Sequence, residues 1–505
     1  MRIPLDSATP HTGQMPYSTK EYLLEDWPRT LFPLDTCHFL VETSSDLLLD
    51  YLYSHVLSTS SREAFLAQTR CYAAKSGFHL RRTLKLDPVA EFFIYDIVYR
   101  NRTRFRKDHQ RHRQSFGYRF KSGKPQSPMT SYREFRKAVL KAANDYRFSL
   151  QLDVALYFNS IYHHDLTAYF AEHGWGIEDV VQLGQFLRQI NAGRSIDCLP
   201  HGMSPCKTIG AEFLRFVDNS ARLRSPLLLR FLDDIYLFSD TAADLTGDQL
   251  TIQELLGEKG LSLNSDKTTF TEGPHGDLES EIDAIKVGLL QIRQHRIEVS
   301  GEMIEVATPV MTRLTDEQTN YLLELLRDPN IEEADAELVL TLLTEHGDEV
   351  LERLGSIMPR FPSLAKTIYT FVKKLPERKG LAELVLDFLQ TAENATEYQL
   401  FWLAKIAEEF LIDDARFGEL LIRLYEHREA TLVTQAKVLE IPEHRFGMPE
   451  LREPFLRSGQ SNWLAWAAAV GTRRQTAQSR NHVLSYFANG SALNGVIAAS
   501  LRRIA

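Results

Sequence analysis

The chain has 505 residues, enough for two to four domains, with an ordinary globular balance of 44% hydrophobic and 25% charged residues. No apolar run approaches the ~20 residues of a bilayer span, and the polar, proline-broken start MRIPLDSATPHTGQ is not a secretory signal. Four cysteines (Cys37, Cys71, Cys198, Cys206) with no CxxC pair offer neither a disulfide framework nor a zinc knuckle. The expectation is a soluble, cytoplasmic protein.

The net charge of −9 hides a polarised chain. Between Arg100 and Arg147 fifteen Lys and Arg face three acids, whereas between Arg313 and Arg353 twelve acids face three arginines. The basic stretch also carries Phe105, Phe116, Tyr118, Phe120, Tyr132 and Phe135. Cations interleaved with rings suit a polynucleotide or triphosphate site, and equally a solvated basic loop.

In chain order, residues 1–35 read as irregular, and Thr43–Ser76 as two helices from the spacing of Leu47, Leu48, Tyr51, Leu52 and Val56. VAEFFIYDIVY (89–99) is a compact apolar run. RQSFGYRFKSGK (113–124) reads as a basic hairpin, and Ser131–Tyr146 as a basic helix. A strand at Phe148–Tyr157 precedes helices at Tyr162–Glu172, Ile177–Ala192 and Pro205–Ala221. Leu227–Ser239 is a strand–turn–strand, Thr246–Lys259 a helix and Leu261–Thr269 a strand. Helices on a sheet with a central antiparallel hairpin give an α+β core. From Leu314 onward, 3.6-period stripes broken at DPN (328–330), HGDE (346–349), MPRFP (358–362), ERKG (377–380) and IPEH (441–444) predict stacked helices. Thr315 and Gln318 form a capping box at the first of them.

Chemistry centres on LLLRFLDDIYLFS (227–239), where Asp233 and Asp234 interrupt an apolar strand pair. Two desolvated neighbouring carboxylates repel each other unless they are exposed in a turn or bound to cations. Asp153, in RFSLQLDVALYFNSI (147–161), is a second acid in apolar surroundings. Together Asp153 and Asp233 would seat a pair of divalent metals for in-line phosphoryl transfer, and Mg²⁺ suits so few carboxylates. LPHG (199–202) before a helix, and GLSLNSDKT (260–268) ending on Lys267, are supporting signals.

In order and spacing, DVALYFNSI, LPHGMSP, RFLDD and GLSLNSDKT resemble motifs A, B, C and D of the reverse-transcriptase palm over about 120 residues. The resemblance implies metal ligation by Asp153, Asp233 and the Val154 carbonyl, with Asp234 as a supporting carboxylate. It implies Phe158 as a gate against a ribose 2′-hydroxyl, Gly202 beside the nucleotide and Lys267 as proton donor to pyrophosphate. Arg119 and Lys121 fall where a triphosphate clamp is expected. Mg²⁺ or Mn²⁺ is the implied cofactor and dNTPs the implied substrates.

No RNase H or endonuclease signature follows the palm, and no basic thumb; acidic-to-neutral helices do. The SFGYRF segment, the FLDD box and the long helical half are similar to the bacterial abortive-infection polymerases among phage-defence reverse transcriptases. That resemblance implies a reverse-transcriptase-like domain over 1–305 (fingers 1–147, palm 148–305) and a HEAT-like helical domain over 306–505. It implies template-independent DNA synthesis primed by a tyrosine hydroxyl, single-stranded DNA left covalently attached, and a trimer or hexamer. Tyr17 and Tyr22, on the polar N-terminal arm, are the candidate primers. The alternatives are an RNA-templated defence reverse transcriptase and a non-catalytic RNA- or protein-binding scaffold.

Overall fold

A computed structural model describes residues 17–106, 110–197, 199–273 and 314–504. The expected boundary at 305/306 and residues 1–16 lie outside the described residues. Ser18 and Glu21 cap each other's backbone and so start helix α1 (Thr19–Asp26). Helix α2 (Asp35–Tyr51) follows, and its first free N–H groups, at Asp35 and Thr36, donate to the carboxylate of Glu440 at 2.8 Å each. Strands β1 (Thr69–Ala74) and β2 (Leu80–Lys85) make an antiparallel hairpin. Asp87 then caps α3 (Pro88–Arg100), whose apolar run is buried nearly all round.

Strands β3 (Arg113–Phe116), β4 (Phe120–Lys121) and β5 (Lys124–Pro125) precede helix α4 (Pro128–Asp145) and strand β6 (Phe148–Asp153). Helices α5 (Tyr157–Ser160), α6 (His163–Glu172), α7 (Ile177–Ile190), α8 (Ser204–Phe213) and α9 (Arg215–Asp218) lead to the hairpin β7 (Leu227–Phe231) and β8 (Asp234–Ser239). Helix α10 (Ala242–Gly257) and strand β9 (Thr269–Glu272) complete this half. The five-stranded sheet has the order β3-β7-β8-β6-β9, with β3 parallel to β7 and the other pairs antiparallel. Alternation puts Leu229, Phe231, Tyr236 and Phe238 on one face, against Phe135 and Val139 of α4; Leu228, Ile235 and Leu237 join the main core on the other.

Several segments differ from the sequence reading. Thr69–Ala74, expected as helix, is a strand, because its partner Leu80–Lys85 lies across a tight Gly77 turn with φ of +66°. RQSFGYRFKSGK (113–124) is not one hairpin: Phe116 ends β3 beside β7, Gly117 passes over the Phe231 ring, and Phe120 turns into the main core, so that only β4 and β5 pair antiparallel across Ser122 and Gly123. Pro205–Ala221 divides into α8 and α9. Leu261–Thr269 keeps only a single bridge, Val154 to Leu263, before a 3₁₀ turn at Ser265–Lys267.

From Asp316 to Arg502 the described chain is helical, opened by the reciprocal Thr315–Gln318 cap. Alternate helices stack on one another: Glu333–Leu342, Ala365–Lys374, Glu397–Phe410, Leu432–Glu440 and Trp463–Gly471 form one row. This half packs on α2 and β1, and one apolar core runs from Tyr22 through the sheet to Trp463 and Leu501. Among the described residues no helix is long and apolar enough to cross a membrane.

Candidate active site

The site forms where β6 ends and the β7–β8 hairpin turns. Asp153, 7% exposed, is the last residue of β6 and pairs in register with Asp234, the first of β8. Leu232 and Asp233 are the two turn residues, and Leu232 sits at φ +55°, a left-handed position usually given to Gly, Asn or Asp. Such a backbone costs a leucine about 1–2 kcal/mol, so surrounding contacts must hold it.

The bridge between Val154 and Leu263 uses Asp153 O, which accepts from Asn264 N at 2.8 Å, and Ala155 N, which donates to Ser262 O at 2.8 Å. It leaves the Val154 carbonyl outside the bridge, as a metal ligand there requires. The same connection brings in two side chains: Lys267 Nζ lies 3.1 Å from Asp153 Oδ1, and Asn264 Nδ2 donates to Oδ2 at 3.2 Å. The hydrogen bond to Asp153 raises the Lys267 pKa, so Nζ keeps its proton.

Burial and the neighbouring carboxylates push Asp233 up and Asp234 up to about 6. Lys267 and Arg81 are the cations opposing this at Asp233. Among the described residues no three His, Cys, Asp or Glu side chains converge as a ready cage for a metal ion. Mg²⁺ needs no such cage, since it takes one or two carboxylates and completes its shell with phosphate and water. The donors present are carboxylate and carbonyl oxygens, and burial together with repulsion raises the proton affinity of Asp233 and Asp234. They fit a hard divalent cation.

Phe158, 5% exposed, lies between the His201 ring, 4.5 Å between centroids, and Gly210, where a Cβ would stand 3.1 Å from the ring. His201 is tied to β2 by its N–H donating to Thr83 Oγ1 at 2.8 Å, and burial beside Arg81 and Lys207 drops its pKa to about 3, leaving the ring neutral. Gly202 has φ +92°, and a Cβ there would meet Leu31 at 2.6 Å, so both the backbone conformation and the close approach of this leucine require glycine.

Arg119 is also placed differently. It is 8% exposed, and its guanidinium donates to Gln126 Oε1, Ser115 O and Glu134 Oε2 at 2.9, 3.2 and 2.8 Å. Those bonds fold the β3–α4 connection and occupy the guanidinium locally; Lys121 is exposed on β4. The exposed Arg81 on β2, in a hairpin that also exposes Lys75 and His79, adds to Lys267 in favouring the charged form of Asp233. An arginine on an exposed strand far back in sequence gave no local signal; only the hairpin turn brings it forward.

The two tyrosine candidates also need correction. The arm that carries them is a capped helix with its entry segment, so neither is loose. Tyr22 is 1% exposed, its Oη donating to Ser204 Oγ at 3.1 Å. Tyr17 is half-buried against Tyr99, with its Oη on Glu25 Oε2 at 2.8 Å. Burial pushes both hydroxyls well above the normal phenol range, helped at Tyr17 by the Glu25 carboxylate.

Helix α4 shares the sheet face of Asp153 and Asp234. Tyr132 stands 5.2 Å from Phe231 beside the turn, Tyr146 lies 6.3 Å from Phe238 at the far end, and Arg133, Arg136, Lys137 and Lys141 are exposed along it. A basic track therefore leads away from the carboxylates.

Residues 97–322 match the family model described as "Reverse transcriptase (RNA-dependent DNA polymerase)". The chain carries a reverse-transcriptase-like domain. Its match spans Asp153, the β7–β8 turn and Lys267. Among solved structures, apo telomerase from Candida tropicalis aligns at 14% identity, covering 76% of this chain and 73% of that one, with a TM-score of 0.30. Telomerase from Candida albicans with a telomeric RNA fragment aligns at 12%, covering 71% and 62%, with a TM-score of 0.28. Likenesses this distant carry no argument. No curated protein matches.

Proposed function

We propose that the chain is a nucleotidyltransferase that builds DNA from dNTPs at Asp153, Asp233 and Asp234. The observation that carries this reading is the register pair Asp153–Asp234 beside the Asp233 turn, with Lys267 on Asp153, inside a reverse-transcriptase-like segment. Asp153, Asp233 and the Val154 carbonyl would hold Mg²⁺ or Mn²⁺, which neutralises triphosphate charge and favours ionisation of the attacking hydroxyl. The chain's own groups do the rest. Arg81, in place of Arg119, draws the triphosphate toward Asp233, and Lys267 Nζ holds the proton that the departing pyrophosphate needs. Phe158 and the neutral His201 ring form an apolar wall next to the site, consistent with selection of deoxyribose. The α4 track follows the strand's phosphates.

The finer reading is an antiphage, abortive-infection polymerase that works without a template from a tyrosine hydroxyl. Its support is the SFGYRF and FLDD resemblance together with the two-row helical half, which suits a HEAT-like domain and a homo-oligomer. Tyr22 is buried and Tyr17 half-buried, so in this reading either would have to leave its packing to prime. The second reading, RNA-templated synthesis, is consistent with the family description. One experiment separates them: purified protein, Mg²⁺ and labelled dNTPs without nucleic acid, on a denaturing gel before and after protease. Label that migrates with the protein and is freed by protease supports self-priming, and peptide mass spectrometry then names the tyrosine. Synthesis only with added RNA template and primer supports the second reading. Silence under both counts against polymerase activity.

A further inference from the structure

Arg230 interrupts the apolar strand LLLRF two residues before the turn, and it is fully buried. A guanidinium in that position must be neutralised and hydrogen-bonded. Asp218, 1% exposed, receives Nε at 2.7 Å and Nη2 at 2.5 Å. The remaining edges do something else. Nη1 donates to the carbonyl of Leu232 at 2.7 Å, and Nη2 to the carbonyl of Ala211 at 2.9 Å.

The Leu232 carbonyl belongs to the peptide joining Leu232 to Asp233, so holding it fixes the plane from which the Asp233 side chain departs. It is also the carbonyl of the residue strained at φ +55°. Ala211 is in the last turn of α8, where carbonyls lack helical partners. The preceding carbonyl, Gly210, accepts from Tyr157 Oη at 2.7 Å. Tyr157 begins α5, four residues after Asp153. The two segments that carry the carboxylates are thus tied to consecutive carbonyls of one helix.

The geometry points to Arg230, braced by Asp218, and Tyr157 as positioning residues that set the spacing between Asp233 and Asp153 from the end of α8. This rests on the proposed nucleotidyltransferase site and goes beyond it, since none of the three touches substrate. A loss of register of about 1 Å at reacting groups costs on the order of a hundredfold in rate.

The test is Arg230→Lys, which keeps a charge for Asp218 but cannot reach Asp218, Leu232 O and Ala211 O together. Tyr157→Phe is the uncharged companion, which folds even if Arg230→Lys does not. Mn²⁺ binding, followed by electron paramagnetic resonance, and steady-state dNTP incorporation are measured beside melting temperature. The control is Leu245→Ala, a core truncation in α10 outside the site. Mn²⁺ binding weakened about tenfold and kcat lowered about a hundredfold, with the dNTP KM within about twofold, is the expected result for Arg230→Lys. Tyr157→Phe changes both in the same direction by a smaller factor. Parent-like Mn²⁺ binding and kcat in Tyr157→Phe and in any folded Arg230→Lys overturn the inference. So does an equal loss in Leu245→Ala at the same melting temperature. If the parent incorporates no dNTP the proposed function fails, while the Mn²⁺ comparison still decides the spacing question.

Discussion

Two groups of buried charge hold this molecule, and they are built on different plans. Where α2 meets the helical half, Lys405, Lys437 and Arg473 stand among Asp35, Glu408 and Glu440, with Glu409 on the solvent side. Each buried acid there has a protein cation, and the fully buried Lys437 touches three of them. Around the β7–β8 turn, three carboxylates share Lys267 and the more distant Arg81. The first group is closed on itself and serves as a joint. The second is short of positive charge, which a site completed by a cation from solution requires.

Breaking each group distinguishes the two plans. Asp233→Asn removes a charge whose repulsion burdens the fold, so melting should change little while incorporation falls at least about a thousandfold, the several kcal/mol of charge stabilisation such a site supplies. Lys437→Met does the opposite: it strands Glu440 without its cation, leaves Glu408 paired only with Arg473, and costs about 3–5 kcal/mol in urea denaturation. Lys267→Ala should lower kcat about a hundredfold. Activity should also fall more steeply at high pH in the parent than in the variant, since only the parent loses a proton at Nζ.

A milder test is pH. Burial among acids pushes Glu408 up to about 7, above its ordinary 4.5. A carboxyl with a raised folded-state pKa takes up a proton on folding, so its contribution is complete below about 4.5 and is lost as pH rises through about 7. Glu408→Gln should flatten that part of the stability profile, measured by denaturation at several pH values. Smallest of all, Arg136→Ala with Lys137→Ala in the Asp233→Asn background should weaken single-stranded DNA binding. The salt slope of that binding should shrink by about 0.7 for each phosphate the helix no longer neutralises.

The grouping of the carboxylates was legible in the sequence because acids in apolar strands are conspicuous, and the order of four short motifs suggested the roles proposed for them. Lys267 came with them, since the residue lies in the segment that bridges back to Val154. Arg119 misled because a basic, aromatic stretch does not reveal which of its cations is consumed locally; Glu134 and Gln126 take this one. Arg81 was invisible, because helical spacing upstream masks the first strand of the hairpin that presents it. Tyr17 and Tyr22 were misjudged for a similar reason: polar residues around them masked the Ser18–Glu21 cap that starts a buried helix. The Arg230 brace had a signal, a charge inside LLLRF, that became meaningful only once Asp218 was seen beside it.

The shared core has a consequence for how the chain comes apart. The composition changes character near residue 314, yet Trp463, Trp466 and Leu501 lie in the same apolar cluster as Tyr22 and Phe93, and Arg503 closes on Asp46 at 2.6 Å. A protease cut or a stop codon at the change of character would bare this cluster on both fragments. Heat or denaturant should therefore melt the first helices, the sheet and the last helices in one cooperative step, and the two halves, expressed apart, should stay soluble only when mixed.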